Sequence, residues 1–103
     1  NSYDIILLDP PQFGRGPNGE VWQLFEHLPG MVDACRAITA PNALAVILTA
    51  YSIRASFFAM HEVMRDAFTG RGGLVESGEL ILREKSAGRA LSTSLFSRWV
   101  ASP

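Results

Sequence analysis

Two unbroken apolar runs constrain this chain more than any other feature. Ile5-Ile6-Leu7-Leu8 stops at Asp9-Pro10-Pro11, and Ala43 to Thr49 repeats the pattern further along. Continuous runs of this length, without polar alternation, read as strands buried on both faces, as in a parallel sheet. Pro10 and Pro11 have no N–H to donate to a ladder, so the first strand ends there.

Parallel neighbours need a crossover, usually a helix, and the intervening sequence supplies one. From Glu20 to Ile38 the period is helical: Leu24, Phe25, Leu28, Met31, Val32, Cys35 and Ile38 recur at spacings of three and four. Pro29-Gly30 interrupts that pattern. It predicts a short helix up to His27, then a second helix with Pro29 in its first turn, where a missing N–H costs nothing. Phe13 to Gly19 holds three glycines and a proline and reads as a loop. After the second strand, Ser52 is a candidate N-cap, and Phe57, Met60, Met64 and Phe68 mark a buried helical stripe. Gly70-Arg71-Gly72-Gly73 ends it. Leu74 to Glu84 and Ser94 to Ala101 are strand-like and joined across Ser86-Ala87-Gly88-Arg89. The order β-α-β-α-β-β predicts an α/β fold, a parallel sheet with an antiparallel strand at its end from the terminal hairpin.

Composition sets the bounds. A chain of 103 residues, 48% hydrophobic and 18% charged, is one globular domain at most, over residues 1–103. It starts at Asn1-Ser2-Tyr3-Asp4 without Met and enters a core strand at once, which suggests a piece of a longer protein. A net charge of −1 advertises neither nucleic acid nor a membrane surface, though a cleft needs only a few local cations. Cys35 is the sole cysteine, so no internal disulfide and no cysteine metal cluster is expected, and a cytoplasmic setting fits. No apolar run approaches the roughly 18 residues of a membrane span.

In open α/β sheets, ligands bind beyond the carboxyl ends of the parallel strands. Asp9 stands at such an end, offering a charged acceptor. The two prolines after it leave carbonyls without local donors, a place for a ligand amino group. Phe13 adds an aromatic face on which a planar base can stack.

Asp9-Pro10-Pro11-Gln12-Phe13 resembles the fourth motif of class I S-adenosylmethionine-dependent methyltransferases, in its Asp-Pro-Pro-x-Phe form. The continuation from Gly14 to Trp22 resembles a bacterial branch related to ribosomal RNA methyltransferases, and Gly78-Glu79-Leu80 and Phe96-Ser97-Arg98-Trp99 are similar to that family's terminal hairpin. The resemblance implies the C-terminal half of a Rossmann-like catalytic domain, with S-adenosylmethionine as cofactor and an RNA base, in ribosomal RNA, as acceptor. It places Asp9, Pro10, Pro11 and Phe13 at the transfer site, with Asp9 and Pro10 toward the cofactor. Phe13, Gly14, Arg15 and Tyr51 are the candidate residues for the substrate side. Two departures stand out. Gly14-x-Gly16 precedes Pro17 rather than a helix, so it is not the family's glycine-rich cofactor loop, and the domain's N-terminal half is the expected partner. The relatives that methylate carbon 5 of cytosine carry a nucleophilic Cys after the next strand, where this chain has Thr49-Ala50-Tyr51-Ser52; the target atom stays open.

Plainer readings stand beside these. Arg15 is a phosphate contact or an exposed loop residue; Tyr51 lines a pocket or caps the core. His27 and His61 read as surface or boundary residues, Cys35 as core, Trp22 and Trp99 as packing, and Arg71-Gly72-Gly73 as a turn. The rival functions are a receiver-like signalling domain with Asp9 as phospho-acceptor, a nucleotide hydrolase with Asp9 on a metal, and a non-catalytic interaction fragment. The receiver lacks its paired acidic residues on an earlier strand, and the hydrolase lacks a phosphate loop.

Overall fold

The computed structural model describes residues 2–11, 13–51 and 57–102; Gln12 and the expected cap Ser52 lie outside them, as do the side chains of Trp22, Phe25 and Phe57. The order is β1 (Ile5–Leu8), β2 (Phe13–Arg15), β3 (Val21–Gln23), α1 (Leu24–Ala37), β4 (Ala45–Ala50), α2 (Phe57–Ala67), β5 (Leu74–Arg83) and β6 (Ala90–Val100). β1 and β4 pair in parallel, from Ile5 opposite Ala45 to Leu8 opposite Leu48. The last strand is antiparallel, as expected, but it lies inside the sheet: the order is β1-β4-β6-β5, and β5 forms the edge.

Three local expectations are corrected. Within the stretch from Phe13 to Gly19, Phe13–Arg15 is a strand rather than loop, β2 on β3 in a small antiparallel ribbon, while Gly16 to Gly19 form the turn between them; Gly16 N–H donates to the Glu20 carbonyl at 2.8 Å and closes it. Residues 24–37 form one helix rather than two, with Pro29 in its interior. Proline there removes one backbone bond, but Leu24, Leu28 and Val32 are all buried along one face, and this packing outweighs it. β6 begins at Ala90 because the ladder continues from Arg83 opposite Ala90, closed by an Arg89–Glu84 ion pair of 2.7 Å.

The core joins Leu24, Leu28 and Val32 of α1, Val46, Leu48 and Ala50 of β4, Met60 and Met64 of α2, and Phe68 and Trp99. Both helices therefore cover the same face of the sheet. The expectation that β1 is buried on both faces fails for this reason: Ile6 and Leu8 pack on the core, whereas Ile5 is 53% and Leu7 73% exposed on the other side. Cys35 and Trp99 are buried, as read from the sequence. His61 is a boundary residue, its Nδ1 2.8 Å from the Ser77 hydroxyl, which in turn donates to the buried Ser97 hydroxyl at 2.7 Å.

Trp99 stacks with the Phe68 ring (centroids 4.9 Å apart), the Arg71 guanidinium lies over the indole at 5.3 Å, and the indole N–H donates to the Gly72 carbonyl at 2.8 Å. The Arg71-Gly72-Gly73 turn thus seats the tryptophan. Gly73 has φ +75°, and a Cβ there would clash with the Val100 carbonyl oxygen. Left-handed strain and a backbone clash together make Gly73→Ala destabilising by about 2–4 kcal/mol, read as a lower urea midpoint with an unchanged m-value.

Candidate functional site at the carboxyl ends of β1 and β4

The parallel register fixes the site. With Leu8 opposite Leu48, the next residues on each strand, Asp9 and Thr49, come side by side. The Thr49 hydroxyl donates to Asp9 Oδ1 at 2.8 Å and lies 3.4 Å from the Leu8 carbonyl. A hydroxyl has one proton, and the shorter, charge-assisted contact takes it. One carboxylate oxygen is therefore anchored to the neighbouring strand, and the other remains on an exposed residue at the strand end. Pro10 is buried and braces the corner; Pro11 is exposed beyond it. Tyr51, just past β4, is 53% exposed at the same end of the sheet.

Phe13 opens β2 and is 52% exposed. The Arg15 guanidinium lies over its ring, 5.8 Å from the centroid. The ribbon that carries both is stiffened at its tip, where Glu20 Oε2 accepts from Asn18 N–H at 2.8 Å. Hydrogen bonds from the backbone of Glu20 and Asn18 hold that carboxyl below the usual carboxylate range. Gly14 and Gly16 sit within this ribbon, not between a strand and a helix, so they are not a dinucleotide-type loop.

Between the ribbon and α1 is a hollow of about 590 Å³, lined by Pro11, Arg15, Val21, His27, Gly30 and Met31 among others. His27, read from sequence as an isolated surface or boundary residue, has two tasks here. Its Nδ1 accepts the Gln23 N–H at 3.0 Å, satisfying a backbone donor at the start of α1, and its ring forms part of the hollow's wall. A second hollow of about 410 Å³, lined by Thr69, Gly72, Leu74 and Trp99 among others, opens at the amino-terminal end of β4 and so lies away from Asp9.

The structure thus brings together Asp9 and Thr49, sets Tyr51 at the same strand ends, and links Phe13 to Arg15 on the adjoining ribbon. Thr49 is the residue that sequence reasoning passed over as a partner for Asp9. Its signal was present: a hydroxyl ending one apolar run and a carboxylate ending its parallel neighbour. Among the described residues no group of three or more His, Cys, Asp or Glu is placed to hold a metal, and no helix is long and apolar enough to cross a membrane. Cys35 is remote from this chemistry, and burial pushes its thiol up from the ordinary value. The native protein should therefore react with thiol reagents about tenfold more slowly than the unfolded chain at pH 8. Because the folded state holds this proton more tightly, stability should fall as pH rises past the ordinary thiol value.

No family model matches the sequence, and no curated protein does. Among solved structures, the chain is 63% identical to a SAM dependent methyltransferase from Agrobacterium tumefaciens, with a TM-score of 0.93 over 98% of its own length. It spans about a third of that protein, 34%. It also superposes on SMU.776, provisionally assigned as a methyltransferase and solved with SAH, with a TM-score of 0.61 at 17% identity over 96% of this chain and 26% of the other; that likeness concerns the fold alone. The 103 residues fold as part of a methyltransferase sheet and correspond, along nearly their whole length, to one portion of a SAM-dependent methyltransferase.

Proposed function

We propose that this chain is the acceptor side of an S-adenosylmethionine-dependent methyltransferase of the Asp-Pro-Pro-x-Phe type, acting on a base in RNA, with ribosomal RNA the first substrate to test. The observation that carries the reading is the Asp9 carboxylate, fixed by Thr49 at the carboxyl end of β1 and followed by a proline corner and an exposed aromatic ring. When bound, S-adenosylmethionine supplies a methyl group on a cationic sulfur. The residues present fit that chemistry: the exposed Asp9 carboxylate, with one oxygen anchored by Thr49, can stabilise the positive charge that passes from sulfur to the acceptor atom, and buried Pro10 braces the corner. Phe13 provides a face for the acceptor ring, Arg15 a cation for the RNA backbone, and Tyr51 a second wall. Methyl displacement is in-line, so fixing the acceptor against the methyl supplies most of the rate, about 7–11 kcal/mol at best.

The exposed Ile5 and Leu7, flanked by Ala45 and Ile47 in register, support the remainder of the catalytic domain as the partner covering that face. On this division of labour, the isolated 103 residues should bind S-adenosylmethionine only weakly, because no glycine-rich loop between strand and helix occurs in the sequence. Titration calorimetry checks this; micromolar affinity for the isolated chain would overturn it. The substrate is tested by incubating the complete enzyme with total RNA and S-adenosylmethionine carrying a tritiated methyl group. Label is expected in ribosomal RNA; label confined to protein or DNA refutes an RNA acceptor.

A further inference from the structure

The hollow beside the ribbon contains a glycine where a helix disfavours one. Gly30 lies inside α1, and His27, Gly30 and Met31 share one helical face. Glycine in a helix interior is destabilising relative to alanine, since its backbone loses more freedom on folding. Packing does not require it: a Cβ at Gly30 would meet no atom within 4 Å. Pro29, in the same turn, weakens the helix again. What the absent side chain leaves is open space in a hollow that Pro11 of the corner also lines.

We propose that this hollow is a subsite for the nucleotide next to the target base in a single-stranded RNA, with its base against Val21 and Met31 and its phosphate at Arg15. The inference rests on the methyltransferase reading above. Two observations point to this occupant. Arg15 lines the hollow and also lies over the Phe13 ring, so the hollow and the base platform share one side chain and lie a short step apart. The hollow's wall is apolar at Pro11, Val21 and Met31 and cationic at Arg15, the combination a base and its phosphate require. Glu20 also lines it, a carboxylate that accepts from Asn18 N–H at 2.8 Å and repels a phosphate, which directs that group to Arg15. A volume of about 590 Å³ suits a small planar ligand.

The test uses the complete enzyme and a short, mixed-sequence, fluorescein-labelled single-stranded RNA. Gly30→Leu fills the hollow. Replacing a helical glycine should leave the thermal midpoint unchanged or raise it by about 1–4 °C. Affinity for the RNA should fall about fivefold or more by fluorescence anisotropy, while calorimetric affinity for S-adenosylmethionine is unaltered. A merely structural Gly30 would give the first change without the second, and unchanged RNA affinity overturns the subsite. Arg15→Gln, on an exposed strand, keeps the test readable if the leucine variant does not fold. It should reduce the slope of log affinity against log salt by about 0.7, and an unchanged slope also overturns the proposal. A wild-type enzyme that neither binds the RNA nor transfers methyl to it removes the underlying reading as well, so that failure is distinguishable from failure of the subsite alone.

Discussion

Asp9→Ala in the complete enzyme should lower the turnover of RNA methylation by about 100-fold or more, with RNA affinity changed by no more than about threefold. The asymmetry follows from where the carboxylate stands. It is anchored through Oδ1 by the Thr49 hydroxyl at 2.8 Å, so its position is set before any ligand arrives. A charge fixed in this way acts mainly on the transition state, where charge is redistributed, and only weakly on ground-state binding. A fall in kcat without a matching rise in KM is the signature of such a group. Thr49→Val keeps the shape and removes the hydroxyl proton. It should reproduce part of the loss, about tenfold, since a hydrogen bond to a charged group is worth about 1.5–3 kcal/mol, and Thr49→Ser should restore it. Steady-state kinetics at saturating cofactor separate these outcomes. If Thr49→Val were silent while Asp9→Ala was not, the anchor would be dispensable and the carboxylate positioned by the proline corner alone.

Phe13→Ala should act on the other side of the balance. The ring is half exposed at the start of the ribbon and has Arg15 over it. Stacking of a base on an aromatic ring is worth about 1–3 kcal/mol, so its loss should weaken acceptor binding by about five- to 150-fold while cofactor affinity is retained. Phe13→Tyr or Phe13→Trp keeps a face and should retain most of the binding. Anisotropy with RNA and calorimetry with S-adenosylmethionine, run on the same variants, read the two sites independently.

Much of this arrangement was legible in the sequence because its signals are local and strong. The apolar runs at Ile5–Leu8 and around Ala45–Ala50 became paired parallel strands, and the helical stripe of Met60, Met64 and Phe68 became core. Where the reading failed, non-local packing had decided. Pro29 and Gly30 argue for two helices when only the local backbone is weighed, but burial of Leu24, Leu28 and Val32 on a common core joins them into one. The glycines around Arg15 argue for a loop, but cross-strand pairing of Phe13 with Gln23 and Arg15 with Val21 makes a ribbon. Continuous apolar character in β1 does imply two covered faces; α1 and α2 supply one cover only, because the buried residues of both join a single core with Val46 and Leu48. The corner residues were read from their chemistry, whereas the Thr49 anchor needed the strand register, a quantity set by pairing rather than by either segment alone.

The central claim is that these residues present the acceptor while the cofactor is held chiefly by the rest of the enzyme. It is tested most directly by combining Asp9→Ala with Phe13→Ala and measuring two quantities on one preparation: transfer of tritiated methyl into RNA and equilibrium affinity for S-adenosylmethionine. The account predicts that transfer falls by about three orders of magnitude while cofactor affinity stays within about threefold of wild type. Methyl transfer at the wild-type rate, or loss of cofactor binding as severe as the loss of transfer, would contradict it.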